Sequence, residues 1–248
     1  MPLGLPKPSL EDLIAATDPS SGAGNSRTVR VTAVADLPTR FGEFQVVAFH
    51  SPVDGKEHAA LVLGDVAEQE KVPVRLHSEC LTGDAFGSLR CDCRQQLELG
   101  LQEIQRRELG VLLYMRQEGR GIGLEAKIKA YRLQELGLDT IEANEALGFR
   151  ADERDYAIAT AMLKVLKVRS VLLMSNNPAK IADLKAHGTK IVGRIPLEVV
   201  PNPFNAKYLE TKRVKAGHLL SKPQWPPIEE QLDCLRTSPS ASAEPSQD

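Results

Sequence analysis

Residues 73–115 read PVRLHSECLTGDAFGSLRCDCRQQLELGLQEIQRRELGVLLYM, and this stretch decides the fold. PVRLH (73–77) has the texture of a short strand. From Asp92 to Arg107 the pattern becomes helical, with Cys93, Leu97, Gly100, Leu101 and Ile104 at i, i+4, i+7, i+8 and i+11 on one face. VLLYM (111–115) is a short apolar run that suits a buried strand. Three of the four cysteines, Cys80, Cys91 and Cys93, lie in the same stretch. Two of them fall at the start of the helix, where the dipole favours a thiolate.

Working outward, residues 1–27 are rich in Pro, Ser, Gly and Ala and are expected to be a disordered tail. From Val29 to about Val74 the texture is β. EFQVVAFH (43–50) and HAALVLGDV (58–66) flank a segment whose Asp54-Gly55 pair signals a turn. Beyond Met115 a Gly-bearing loop, RQEGRGIG (116–123), leads into a helix to about Leu136, stopped by Gly137. A long polar connection, LDTIEANEALGFRADER (138–154), precedes a helix with Ile158, Met162, Val165 and Leu166 inward. Strand SVLLM (170–174) and loop SNNPAK (175–180) follow, then a helix opened by Pro178 and closed by Gly188. KIVGRIPL (190–197) returns as a strand, and NAKYLETKRVKAGHLL (205–220) reads as a basic amphipathic helix. The expected fold class is mixed α/β, a β-rich N-terminal part followed by alternating strands and helices. One catalytic domain over 28–220 is expected, with a second disordered tail over 221–248.

Composition excludes several classes. With 248 residues, 42% of them hydrophobic, the chain can bury a substantial core. No apolar run approaches the roughly 20 residues of a membrane-spanning helix. Glu11, Asp12 and Asp18 fit neither a signal peptide nor a transit peptide, so cytoplasmic residence is the expectation. Four cysteines are too few for a secreted disulfide scaffold. A formal net charge of -2 gives no global basic field for nucleic acid, so any polyanion must be held by a local cluster of Arg and Lys.

Three cysteines within fourteen residues suit zinc. Three ligands and one open position describe a catalytic site, whereas His77 as a fourth ligand would close it. Buried cysteines without a metal are the plain alternative. His77-Ser78-Glu79 matches the H-x-E half of the zinc deaminase signature, but the P-C-x-x-C half is missing.

The loop RQEGRGIG admits two readings. Gly121 to Ala126 fits G-x-G-x-x-A, yet the polar run Gln117 to Arg120 separates the glycines from the strand, against a dinucleotide fingerprint. What survives is a flexible loop holding Arg116, Glu118 and Arg120 before a helix. Arg120 suits bidentate phosphate binding, and Glu118 suits a nucleobase or Mg²⁺. A solvated loop is the ordinary alternative. Ser175, Asn176, Asn177 and Lys180 stand at a strand end and helix start, which suits either an anion or plain N-capping. The run Asp152-Glu153-Arg154-Asp155 by itself implies only helix N-terminal charges.

Taken together, RLHSECLTGD, SLRCDC, RQEGRGIGL, KIKAY, ADERD, SNNPAK and KYLETKRVKAGHLL, spread from about Val29 to Leu220, resemble GTP cyclohydrolase II of riboflavin biosynthesis. The resemblance implies hydrolysis of GTP to 2,5-diamino-6-(5-phosphoribosylamino)pyrimidin-4(3H)-one, formate and pyrophosphate. It also implies one Zn²⁺ per subunit, Mg²⁺ with the GTP triphosphate, and a homodimer without nucleic-acid or membrane partners. By motif, Cys80, Cys91 and Cys93 hold the zinc. Arg75, Leu76, His77, Ser78, Glu79, Gln96, Glu118, Gly119, Arg120, Thr140, Ser175 and Lys180 contact GTP. Asp152 is the implied proton acceptor, Arg154 the nucleophile and Tyr131 a tyrosine close to the reacting base. Ser175 stands where the family pattern suggests threonine. Relatives of this kind are often fused to a 3,4-dihydroxy-2-butanone 4-phosphate synthase domain, for which there is no room before Val29, so a monofunctional chain is expected. Two alternatives remain: a paralogue that opens the imidazole ring but keeps the formyl group, and a non-catalytic nucleotide-binding zinc protein.

Overall fold

A computed structural model describes residues 29–150, 152–215 and 217–221. The expected tails lie outside the described residues, save Ser221. Among the described residues seven strands form one mixed sheet: β1 (Arg30–Thr39), β2 (Gly42–Ser51), β3 (Lys56–Leu63), β4 (Val72–Ser78), β5 (Gly110–Met115), β6 (Val171–Met174) and β7 (Ile191–Ile195). Their order across the sheet is β1-β2-β3-β5-β4-β6-β7. The first three form an antiparallel meander, β3 runs antiparallel to β5, and the remaining pairs are parallel. The β-rich entry and the alternating half therefore share one sheet. Seven helices accompany it among the described residues: α1 (Leu81–Asp84), α2 (Cys93–Arg107), α3 (Gly123–Glu135), α4 (Thr140–Ala146), α5 (Ala157–Val165), α6 (Pro178–Ala186) and α7 (Ala206–Val214). None is long and apolar enough to cross a membrane.

Strand alternation sorts side chains onto two faces. Arg75 pairs with Leu112 and Met174, and His77 with Tyr114, which places these residues on the face that packs against Leu101 and Ile104 of α2. Val74, Leu76, Leu113 and Leu173 turn the other way, into the core with Ile158, Met162 and Leu163 of α5. Burying each such leucine or isoleucine contributes about 1.5–3 kcal/mol. Gly100 lets α2 lie close over the sheet: a Cβ there would meet Arg75 Cγ at 3.0 Å.

Two expectations change. The polar connection after Gly137 contains α4, because Asp139 accepts hydrogen bonds from the Ile141 and Glu142 amides while Glu142 returns to the Asp139 amide. That reciprocal capping box starts a helix despite a polar composition. The basic C-terminal helix is also shorter than read: it ends at Val214, and residues 217–221 have no regular structure.

Candidate active site

The carboxyl ends of the parallel strands β4, β5 and β6 open onto one cleft of about 370 Å³. Open α/β sheets place ligands there, where strand order turns around a central strand. The end of β4 and the two residues after it deliver Ser78, Glu79 and Cys80, the segment after β5 delivers Glu118, Gly119 and Arg120, and the β6–α6 loop delivers Ser175 and Asn176. Every residue expected in the site lines this cleft except Leu76, whose side chain is buried on the α5 face. The Leu76 backbone still takes part, since its carbonyl accepts from Lys180 Nζ at 3.0 Å.

Cys80, Cys91 and Cys93 bring their sulfurs within 4.8 Å of one another. Buried Gly83 makes the room: a Cβ there would lie 2.8 Å from Cys91 Sγ and 3.1 Å from Cys80 Sγ. His77 is not part of this set. Its Nε2 lies 2.9 Å from Asp84 Oδ2, and its ring stacks on Tyr114. Three thiols compete for negative charge. Hydrogen bonds from Cys91 and Cys93, with the Lys127 ammonium, hold Cys80 well below the usual thiol range, whereas bonding to Cys80 pushes Cys91 up to about 11. A divalent cation relieves that competition by stabilising all three thiolates, and the donor set suits a soft or borderline metal. The cluster can therefore bind a metal.

Around the cysteines, Lys127 Nζ donates to Cys80 Sγ at 3.1 Å and to Glu118 Oε1 at 2.7 Å. Glu118 also accepts from the Leu81 and Gly119 amides, so its carboxylate fastens the loop to the start of α1. Arg120 adopts φ 62°, a left-handed conformation that costs a non-glycine residue roughly 1 kcal/mol or more. Its carbonyl accepts from the Glu153 amide, tying this loop to the Asp152–Asp155 run. Tyr131 OH lies 3.1 Å from Thr82 Oγ1, and the Arg90 guanidinium sits over its ring.

On the other side of the cleft, Arg154 forms two parallel hydrogen bonds to Asp152, at 2.8 and 2.5 Å. Burial works against the Arg154 charge, but Asp152 outweighs it and holds the guanidinium above its usual value. Arg75 and Lys180 differ. Both are buried; Arg75 donates to the Met174 carbonyl and to Gln96, and Lys180 to Leu76. Neither has a carboxylate within ion-pair distance among the described residues. Burial first, then the neighbouring cations, pushes Lys180 well below its ordinary pKa. At the start of α6, Asn177 already accepts from the Ala179 and Lys180 amides, so this helix end is capped by its own chain.

Several groups in and behind the cleft escaped the sequence reading. Asp84, behind the cleft wall, accepts from His77, from Tyr114 OH at 2.9 Å and from the Cys80 amide at 3.0 Å. Its position four residues after Cys80 was the available clue. Lys127 stands one helical turn before Tyr131, a spacing that puts both on one face. Asp92 and Lys212 gave no local clue to each other, because 120 residues separate the two halves of their ion pair.

This chain belongs to the GTP cyclohydrolase II family, whose model matches residues 29–196. Among curated relatives, the riboflavin biosynthesis protein RibBA of Bacillus cytotoxicus is 56% identical over 185 residues, which are 75% of this chain and 47% of that protein. RibBA of Synechocystis sp. is 52% identical over 200 residues, covering 80% of this chain and 36% of that protein. The chain thus spans about half the length of these relatives, or less. The family match bears out the expected family and leaves the expectation of a single activity unconfirmed.

Proposed function

We propose that this chain hydrolyses GTP to 2,5-diamino-6-(5-phosphoribosylamino)pyrimidin-4(3H)-one, formate and pyrophosphate, the step that commits GTP to riboflavin synthesis. One observation carries the reading. Two buried cations without a carboxylate partner among the described residues, Arg75 and Lys180, share a cleft with a three-cysteine cluster able to hold a metal. A buried charge is costly unless it is neutralised, and a polyphosphate does so here. Mg²⁺ with the triphosphate and a homodimer belong to the same proposal.

Cys80, Cys91 and Cys93 are the residues that would hold Zn²⁺. Zinc bound there supplies Lewis-acid activation of water for hydrolysis at guanine C8. Lys127 keeps the Cys80 thiolate paired, and Tyr131 stands beside the cluster to hold or pass a proton at its hydroxyl. Two hydrolyses at C8 release that carbon as formate. Glu118 keeps the adjoining loop in place rather than serving as a free acceptor.

The phosphate half falls to Asp152 and Arg154. Arg154 must first pass a proton to Asp152, whose Oδ2 lies 2.5 Å from a guanidinium nitrogen. A P–N bond then forms at the α-phosphorus while the P–O bond to pyrophosphate breaks, and the electron pair leaves with pyrophosphate. Water cleaves the P–N bond and the proton returns to Arg154. The pair that positions Arg154 also favours its charged form, so proton transfer is the demanding part of this sequence. Arg154→Ala should form no covalent guanylyl adduct, and an adduct that persisted would remove Arg154 from this role.

Incubating the zinc- and magnesium-loaded protein with GTP and assaying formate and pyrophosphate together tests the whole reading. Equal amounts of both are expected. Pyrophosphate without formate would mean a formyl-retaining reaction, and neither product would mean a nucleotide-binding protein without turnover.

A further inference from the structure

Helix α7 begins beyond residue 196, where the family match stops, and none of its residues has a part in the reaction above. Tyr208 and Lys212, together with Lys215 just past the helix end, line the cleft at i, i+4 and i+7, one side of a helical turn. Among the described side chains of α7 only Leu209 is buried, so apolar packing contributes little to its seat. Charge holds it instead. Lys212 Nζ donates to Asp92 Oδ1 at 2.7 Å, and the Asp92 side chain is 2% exposed. Lys215 pairs with Asp139 and Glu142, the capping residues of α4. After the helix, the Leu219 amide donates to the Asn176 carbonyl at 2.8 Å.

These contacts connect α7 to both ends of the chemistry. Asp92 stands between Cys91 and Cys93 and also accepts from Gln96, which in turn accepts from Arg75. The Lys212 ammonium lies 4.3 Å from the centre of the Tyr208 ring, which fixes that ring on the cleft wall. A helix seated by ion pairs rather than by an apolar face feels the charge of whatever enters beside it.

We propose that α7 is a further wall of the nucleotide cleft. Tyr208 touches the bound nucleotide as an aromatic platform, and Lys212 is a positioning residue that holds the platform against the cysteine loop through Asp92. The proposal rests on the GTP reading above and adds residues outside the family match.

The test measures binding of a non-hydrolysable GTP analogue to the full zinc-loaded chain by calorimetry, with zinc content checked for each variant. Tyr208→Leu should weaken binding about tenfold, the range for losing an aromatic contact with a base. Tyr208→Phe, which keeps the ring, should retain affinity within about threefold, with zinc content unchanged in both. Lys212→Met should raise KM for GTP by a larger factor than it lowers kcat. Tyr208→Leu binding as tightly as the wild type would overturn the proposal. If Lys212→Met loses its zinc or its fold, the Tyr208 pair decides alone. A wild-type chain that fails to bind the analogue would instead overturn the GTP reading, so the two failures are distinct.

Discussion

Adding one methyl group at Gly83 should separate metal binding from folding. Gly83 lies within α1 at a backbone conformation open to any residue, since its φ is not positive. A Cβ there would lie 2.8 Å from Cys91 Sγ, 3.0 Å from Cys93 Cβ and 3.1 Å from Cys80 Sγ. Non-bonded heavy atoms prefer about 3.5–4.0 Å, so the overlap is several tenths of an ångström at three atoms. In the metal-free chain the Cys91 and Cys80 thiols relieve their contacts by turning away, while the 3.0 Å contact with Cys93 Cβ stays the same in both forms. They cannot do so while all three point at one ion, so the overpacking cost of about 1–3 kcal/mol falls on the metal-bound state. Zinc affinity of Gly83→Ala should therefore drop about 5- to 150-fold. Alanine is the better helix former by about 1 kcal/mol, so the metal-free melting temperature should hold or rise slightly. Competition with a chromophoric chelator reads the first effect, and melts with and without zinc read the second. Gly83→Ala binding zinc as tightly as the wild type would refute the cradle, as would equal destabilisation of both forms.

Lys180→Met should leave stability unchanged or raise it, because it removes a buried cation that burial already disfavours. The same change should weaken GTP binding about tenfold or more by deleting a phosphate anchor, read by calorimetry beside a melt. Lys127→Met strands the Glu118 carboxylate, whose side chain is 10% exposed. Its remaining amide donors soften the loss to about 2–4 kcal/mol in urea denaturation. His58 is buried and its Nδ1 accepts from the Arg116 amide. Burial holds its pKa below the usual 6.5 despite Asp54, so on acidification the unfolded chain takes up the proton first. The His58 contribution to stability is full above about pH 6.5 and is lost as pH falls below it. His58→Gln should flatten that slope when unfolding free energies are compared at about pH 7.5 and about pH 5.5.

Much of the frame was legible because it rests on local pattern. Apolar runs marked β5 and β6, and the 3.6-residue period marked α2 and α5. The cysteines announced themselves by spacing. Side-chain direction within β4 is equally open to reading: alternation puts Arg75 and His77 on one face and Leu76 on the other, although the motif itself runs unbroken from Arg75 to Glu79. The capping box of Asp139 and Glu142 was also written in the sequence and hidden by a polar composition. Other features have no local signal. Asp92 resembles an N-cap, but its carboxylate turns to Lys212, 120 residues away, and to Gln96. The isolation of Arg75 and Lys180 from carboxylates emerges only when β4, β6 and α6 pack together.

One cleft is proposed to hold both the metal and the nucleotide. A crystal of the full chain with zinc and a non-hydrolysable GTP analogue, with diffraction recorded at the zinc absorption edge, locates both. One anomalous peak is expected about 2.3 Å from the sulfurs of Cys80, Cys91 and Cys93, with the triphosphate against Arg75 and Lys180. Zinc held elsewhere, or a nucleotide bound away from these two cations, would contradict it.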